Sequence, residues 1–153
     1  MDAKTHIAMA NGPPIDGHCD YEHDSDRNER RKSDWLHAGA RIARNLARAL
    51  GLPRGSFDVR INPGGPAVGG DVILHGERLY VSLSQTALGP DFGFMWRTCR
   101  GRKDFAGGPN RWSAWDDLLD LPRLAERMRA EMDRSRTCEA RPRDGAVSTR
   151  RAT

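Results

Sequence analysis

The sequence predicts an α+β domain, a two-layer sandwich in which an antiparallel sheet of three to four strands is covered by an N-terminal and a C-terminal helix, with disordered tails. Three observations predict it. Apolar residues recur at helical spacing near both ends of the central region. Between those stretches the period drops to two, as in half-buried strands. One alternating pair is joined closely enough for a hairpin, which makes the sheet antiparallel. Two amphipathic helices need a surface to cover, and one sheet face supplies it.

The first helix is read as opening at Ser33, whose hydroxyl suits an N-cap, with Asp34 at the positive end of the helix dipole. Trp35, Gly39, Ile42, Leu46 and Leu50 form its apolar stripe, with Ala43 and Ala49 beside it. His37, Arg41, Arg44 and Arg48 fall opposite. Gly51 suits a left-handed cap, and Pro53 blocks continuation. FDVRIN then alternates Phe57, Val59 and Ile61 with charged residues, as a half-buried strand does. NPGGPAVGG, from Asn62 to Gly70, reads as a connector.

DVILHGERLYVSLSQ reads as a hairpin with Gly76-Glu77 as a type II′ turn. That register sets Leu74 opposite Leu79 and Val72 opposite Val81, puts Leu83 on the same face, and pairs Ile73 with Tyr80 on the other. Phe92 to Arg100 reads as a further strand with its buried face undecided, and RGRKDFAGGPN as a loop. Ser113 to Asp116 has capping-box spacing before a short turn. Pro122 suits the first turn of a second helix, where Leu121, Leu124, Ala125, Met128 and Met132 make one stripe to about residue 133.

The chain has 153 residues, enough for one domain. Its charged fraction is 30% and its aromatic fraction 7%, too polar for the whole length to bury a core. The domain is therefore placed at residues 33–134, between a disordered acidic and His-containing tail (1–32) and a disordered basic tail (135–153). These segments carry −2 (1–32), +3 (33–134) and +3 (135–153), a mild basic bias. No run of 18 apolar residues occurs and no secretory signal pattern opens the chain, so no membrane partner is expected. Cys19, Cys99 and Cys138 are odd in number and far apart, which fits a reducing cytoplasm.

The candidate site is a cluster of cations and rings between residues 97 and 115. Arg97, Arg100, Arg102, Lys103 and Arg111 are interleaved with Phe105, Trp112 and Trp115. Guanidinium and ammonium groups neutralise phosphates, and aromatic faces stack on bases. Arg41, Arg44 and Arg48 would widen that surface if helix and loop lay side by side. The bland reading of both groups is a solvated loop over buried tryptophans and the wet face of a helix.

Other constellations carry less. Gly64 and Gly69 have P-loop spacing, but Gly70 and Asp71 stand where the lysine and hydroxyl belong. HCDYEHDSD (His18 to Asp26) gathers ligand-type side chains without the paired spacing of a structural zinc site. No cofactor or metal is assigned. Arginines around Cys99 would favour its thiolate, but a nucleophile also needs a base, and only His37 and His75 lie within the domain.

NPGGPAVGGDVILHGERLYVSLSQ and RTCRGRKDFAGGPNRW, with GRKDF and GGPNRW the more distinctive parts, carry a resemblance. From Ile61 to Leu119 the chain resembles small uncharacterised proteobacterial proteins carried on integrative conjugative elements, plasmids and related mobile DNA. The resemblance implies a mobile-element setting in the bacterial cytoplasm and no activity. The expected function is a non-catalytic accessory binding protein that contacts nucleic acid or another polyanion. The alternatives are a protein-interaction module or inhibitor that meets an acidic surface on a host defence or conjugation protein, and a small cysteine-dependent enzyme. Oligomeric state is left open.

Overall fold

The stripe from Trp35 to Leu50 is the buried side of helix α1 in the computed structural model, which describes residues 25–64, 70–84 and 93–139. α1 spans Ser25–Ala49. After it come β1 (Phe57–Asn62), β2 (Asp71–Gly76), β3 (Leu79–Ser84), β4 (Phe94–Thr98) and β5 (Arg111–Ser113). A 3-10 turn (Trp115–Leu119) and helix α2 (Leu121–Glu139) complete the described chain.

The strands pair in chain order, each antiparallel to the next. Alternation assigns the two faces. Val72, Leu74, Leu79, Val81, Leu83, Phe94 and Trp96 are buried on the face toward the helices. α1 packs on β1 and β2, and α2 packs on α1, the 3-10 turn and β4. Trp35, Leu46, Trp115, Leu118, Leu124 and Met128 close this core from the helical side. At Gly39 a Cβ would stand 3.1 Å from Val72 Cγ2, so glycine lets α1 lie close on β2. Gly51 adopts φ 72, and Leu52 N–H donates to Ala47 O, which closes α1 with a left-handed cap as the sequence indicates.

Five expectations need correction. α1 begins at Ser25, so Ser33 is interior to the helix rather than its cap, and His37 Nδ1 lies 2.7 Å from Ser33 O. α2 runs to Glu139, past residue 134. The tail residues 1–24 and 140–153, expected to be disordered, lie outside the described residues, as does most of the Asn62–Gly70 connector.

The hairpin turn is Glu77-Arg78, and Leu74 pairs with Val81 and Val72 with Leu83. Gly76 instead ends β2 opposite Phe57 of β1 and is buried there. Pairing on both sides pulls the strand one residue past the predicted turn. The slip keeps the parity, so every side chain stays on its expected face.

The sheet has five strands, since Arg111–Ser113, just past the expected loop, forms a β5 that was not expected. The capping-box role of Ser113 is lost with it. Ser113 Oγ accepts from Trp96 Nε1 at 3.0 Å and Arg127 Nη2 at 3.1 Å, while Ala114 caps the 3-10 turn with no side-chain bond. β5 can lie close against β4 because Gly93 takes φ 63, where a Cβ would meet Ser113 O at 1.9 Å.

Candidate nucleic-acid interface

Alternation that sends one set of side chains under the helices sends the other set to the opposite sheet face. Two rows of paired residues cross it. One row is Arg60, Ile73, Ser82, Met95 and Trp112, and the next is Asp58, His75, Tyr80 and Arg97. Neither helix packs on this face. Trp112 stands on it 52% exposed.

The loop between β4 and β5 folds back over one end of these rows. Asp104 shapes it by accepting from the backbone N–H groups of Arg100 (2.9 Å), Gly107 (2.7 Å) and Ala106 (3.2 Å). Those bonds, Gly107 first, hold the Asp104 carboxyl below its usual pKa of 3.8. Arg102 reaches β1, donating to Asp58 Oδ2 at 2.5 Å and to Gly55 O at 2.9 Å. The Arg102 hydrogen bond lowers the Asp58 pKa. Phe105 is thereby laid over His75, with 5.3 Å between ring centroids and the Arg60 guanidinium 5.7 Å from the Phe105 ring. Phe105 keeps its outer side in solvent and is 58% exposed.

Arg97 binds loop and sheet together. Its guanidinium lies 4.6 Å from the centre of the Tyr80 ring, donates to Phe105 O, and reaches Asn110 Oδ1 at 3.4 Å. His75 is fully enclosed beneath, with Arg60 Nη2 3.2 Å from its Nδ1. Burial lowers its pKa, and the Arg60 charge adds to that. Its Nε2 has no partner in hydrogen-bond geometry, so the Gly101 backbone, which favours the proton, does not offset burial.

The predicted cations do not converge on one surface. Arg97 and Arg102 meet Phe105 at the open face, while Trp112 stands farther along it. Lys103 is exposed on the same loop. Arg100 lines a cleft of about 440 Å³ against α2, together with Thr98, Cys99 and Arg134. Arg111 points to the helical side, where it pairs with Glu131 and lies 5.7 Å from the Trp96 ring. Arg41, Arg44 and Arg48 are exposed on α1, in the layer behind the sheet, and Arg48 donates to Asn45 Oδ1 at 2.5 Å. Arg97 and Arg102 thus face away from the α1 arginines, while Arg100 and Arg111 turn toward α2.

No protein-family model, curated protein or solved structure matches the chain.

The expectation that arginines would favour a Cys99 thiolate is overturned. Burial raises the thiol pKa, and the S–H donates to Gly76 O at 3.4 Å. His37 sits on the exposed side of α1. Among the described residues no cluster of three His, Cys, Asp or Glu side chains is arranged to hold a metal ion, and no helix is long and apolar enough to cross a membrane.

Sequence reasoning missed Arg60, His75, Ser82, Met95 and Asn110 as neighbours of the aromatic residues. Strand register carried the signal: residues paired with Ile73 and Tyr80 must share the uncovered face.

Proposed function

We propose that the protein is a non-catalytic accessory binding protein whose open sheet face contacts nucleic acid or another polyanion. The observation that carries this reading is the pairing of two exposed rings, Trp112 and Phe105, with Arg60 and Arg97 on the face the helices leave uncovered. Exposed rings stack on bases, and cations between them neutralise phosphate. Arg102 and Lys103 extend the positive edge along the loop. Asp58 is paired with Arg102 and Asp104 with backbone amides, which leaves less uncompensated negative charge to repel an anion. Arg111, Arg41, Arg44 and Arg48 take no part in this surface. The resemblance over Ile61 to Leu119 supports a setting in a bacterial mobile genetic element, and thus in the cytoplasm.

The test is a titration of labelled oligonucleotides at several salt concentrations. Affinity is expected to fall as salt rises, and Arg60→Ala is expected to flatten the dependence of log K on log salt by roughly 0.7 for a single strand. Absence of binding at low salt, or binding indifferent to salt, refutes the reading.

A second reading rests on one observation: Arg97 and Arg102 are already engaged within the molecule. The face would then meet an acidic protein surface, as in a module or inhibitor that occupies a host defence or conjugation protein. A stoichiometric protein partner retained after nuclease treatment favours it.

A further inference from the structure

Beside Trp112 the open face is indented. A cleft of about 220 Å³ is lined by Ser82, Ser84, Met95, Asn110 and Trp112, together with Gly93 and Phe94. One wall is a flat indole and another a thioether side chain. The remainder is polar: Ser82 and Ser84 hydroxyls lie 2.8 Å apart, and Asn110 accepts from Arg97 through Oδ1. One serine hydroxyl can donate to the other, which leaves a second O–H and the Asn110 amide N–H groups to meet a ligand. A ring-shaped, planar group with hydrogen-bonding edges fits these walls. A phosphate does not, since no cationic side chain among the described residues lines the cleft. The cations stand one row away, at Arg97, and across the sheet at Arg60.

We propose that this cleft receives a single unpaired nucleobase, stacked on Trp112, and that the open face therefore selects single-stranded over double-stranded nucleic acid. The inference rests on the reading of the open face as a nucleic-acid surface and names the form of nucleic acid it takes. In a duplex the faces of the bases are already stacked and closed to an indole; in a single strand they are free. A sheet presents no helix or protruding ribbon to enter a groove. Phe105, above β2, offers a second platform about three strand spacings from Trp112 on β5, roughly 14 Å. That span matches about four nucleotides at 3.4 Å rise, with Arg97 and Tyr80 between the two rings.

Fluorescence anisotropy with labelled ten-nucleotide strands, DNA and RNA, tests the proposal. Each is compared with its duplex and with an abasic strand of equal length and charge. The single strand is expected to bind more tightly than both. Trp112→Ala is expected to weaken it about 5- to 150-fold, the range for loss of one stacked base. Trp112→Phe restores part of the loss, and Arg44→Glu on the far side of the molecule leaves affinity unchanged. Intrinsic fluorescence gives a second readout: of the four tryptophans, Trp35, Trp96 and Trp115 are buried, so quenching by the strand reports on Trp112. Equal affinity for abasic and normal strands, or duplex binding as tight as single-strand binding, overturns the base cleft and leaves the polyanion surface standing. No binding of any oligonucleotide at low salt overturns both.

Discussion

Asp104 shows how one side chain builds a surface that composition alone does not reveal. Its two oxygens collect three backbone N–H groups, and the loop they shape delivers Phe105 to His75. The pKa of Asp104 is lowered by those bonds, so its contribution is complete above 3.8 and is lost as pH falls through the lower folded value. Asp58, lowered by Arg102, acts in the same window and with the same sign. His75 acts at milder acidity. Its pKa lies below 6.5 when covered, so the uncovered form takes up a proton first and the cover weakens as pH drops beneath that value. Acidification should therefore lower the protection of the Ala106 and Gly107 amides against hydrogen exchange, measured relative to the unfolded chain at the same pH, in two stages, below about 6.5 and again below about 3.8. Asp104→Asn should keep the first stage and blunt the second. Protection that stays flat across both windows would show that these groups do not hold the loop.

Elements differ in how plainly the sequence announces them. α2 is capped by Asp120, whose Oδ1 accepts from Arg123 N–H at 3.2 Å while its carbonyl accepts from Leu124 N–H at 3.0 Å. Asp120→Ala should cost about 1 kcal/mol, seen as a lower midpoint in urea with an unchanged slope. Helix stripes and central strands were legible because burial repeats regularly along them. The first turns of α1 were not, because residues 25–32 are almost wholly polar and carry no stripe, although arginine, glutamate and lysine favour helix. β5 escaped for the opposite reason. Its exposed residue is Trp112, and Arg111 and Ser113 point toward the helices, an inversion of the pattern that marks a strand. Arg111 is satisfied there by Glu131 and Ser113 by Trp96, partners far away in sequence. The same inversion hid part of the candidate site: Trp112 was singled out for its composition, but the face it occupies and the serines beside it follow only from pairing. Arg100, Arg102 and Arg111 lie close in the chain and yet part, Arg102 toward β1 and the other two toward α2, because a strand alternates and a folded loop reverses direction.

At the scale of the molecule, both helices lie on one side of the sheet and neither packs on the other. This division separates a stabilising layer from a presenting one. The buried leucines, Phe94, Met128 and Met132 can hold the fold, while Trp112, Phe105 and Arg60 contribute little to the core and are free to meet a ligand. The edges are managed differently. β1 carries Asp58 and Arg60, charges that discourage pairing with another sheet, and β5 is only three residues long, too short to template one.

The nearest-neighbour order of the strands also bears on how the chain reaches this state. Every strand meets its partner within a single hairpin excursion, so little loop entropy is lost before contacts begin to form. Refolding from urea by stopped flow should be complete within milliseconds to about a second, with truncation at Val81 slowing it more than truncation at Leu124, as expected if the sheet assembles before α2 docks. A slow main phase with the opposite order of effects would mean that the two helices must find each other before the sheet can assemble.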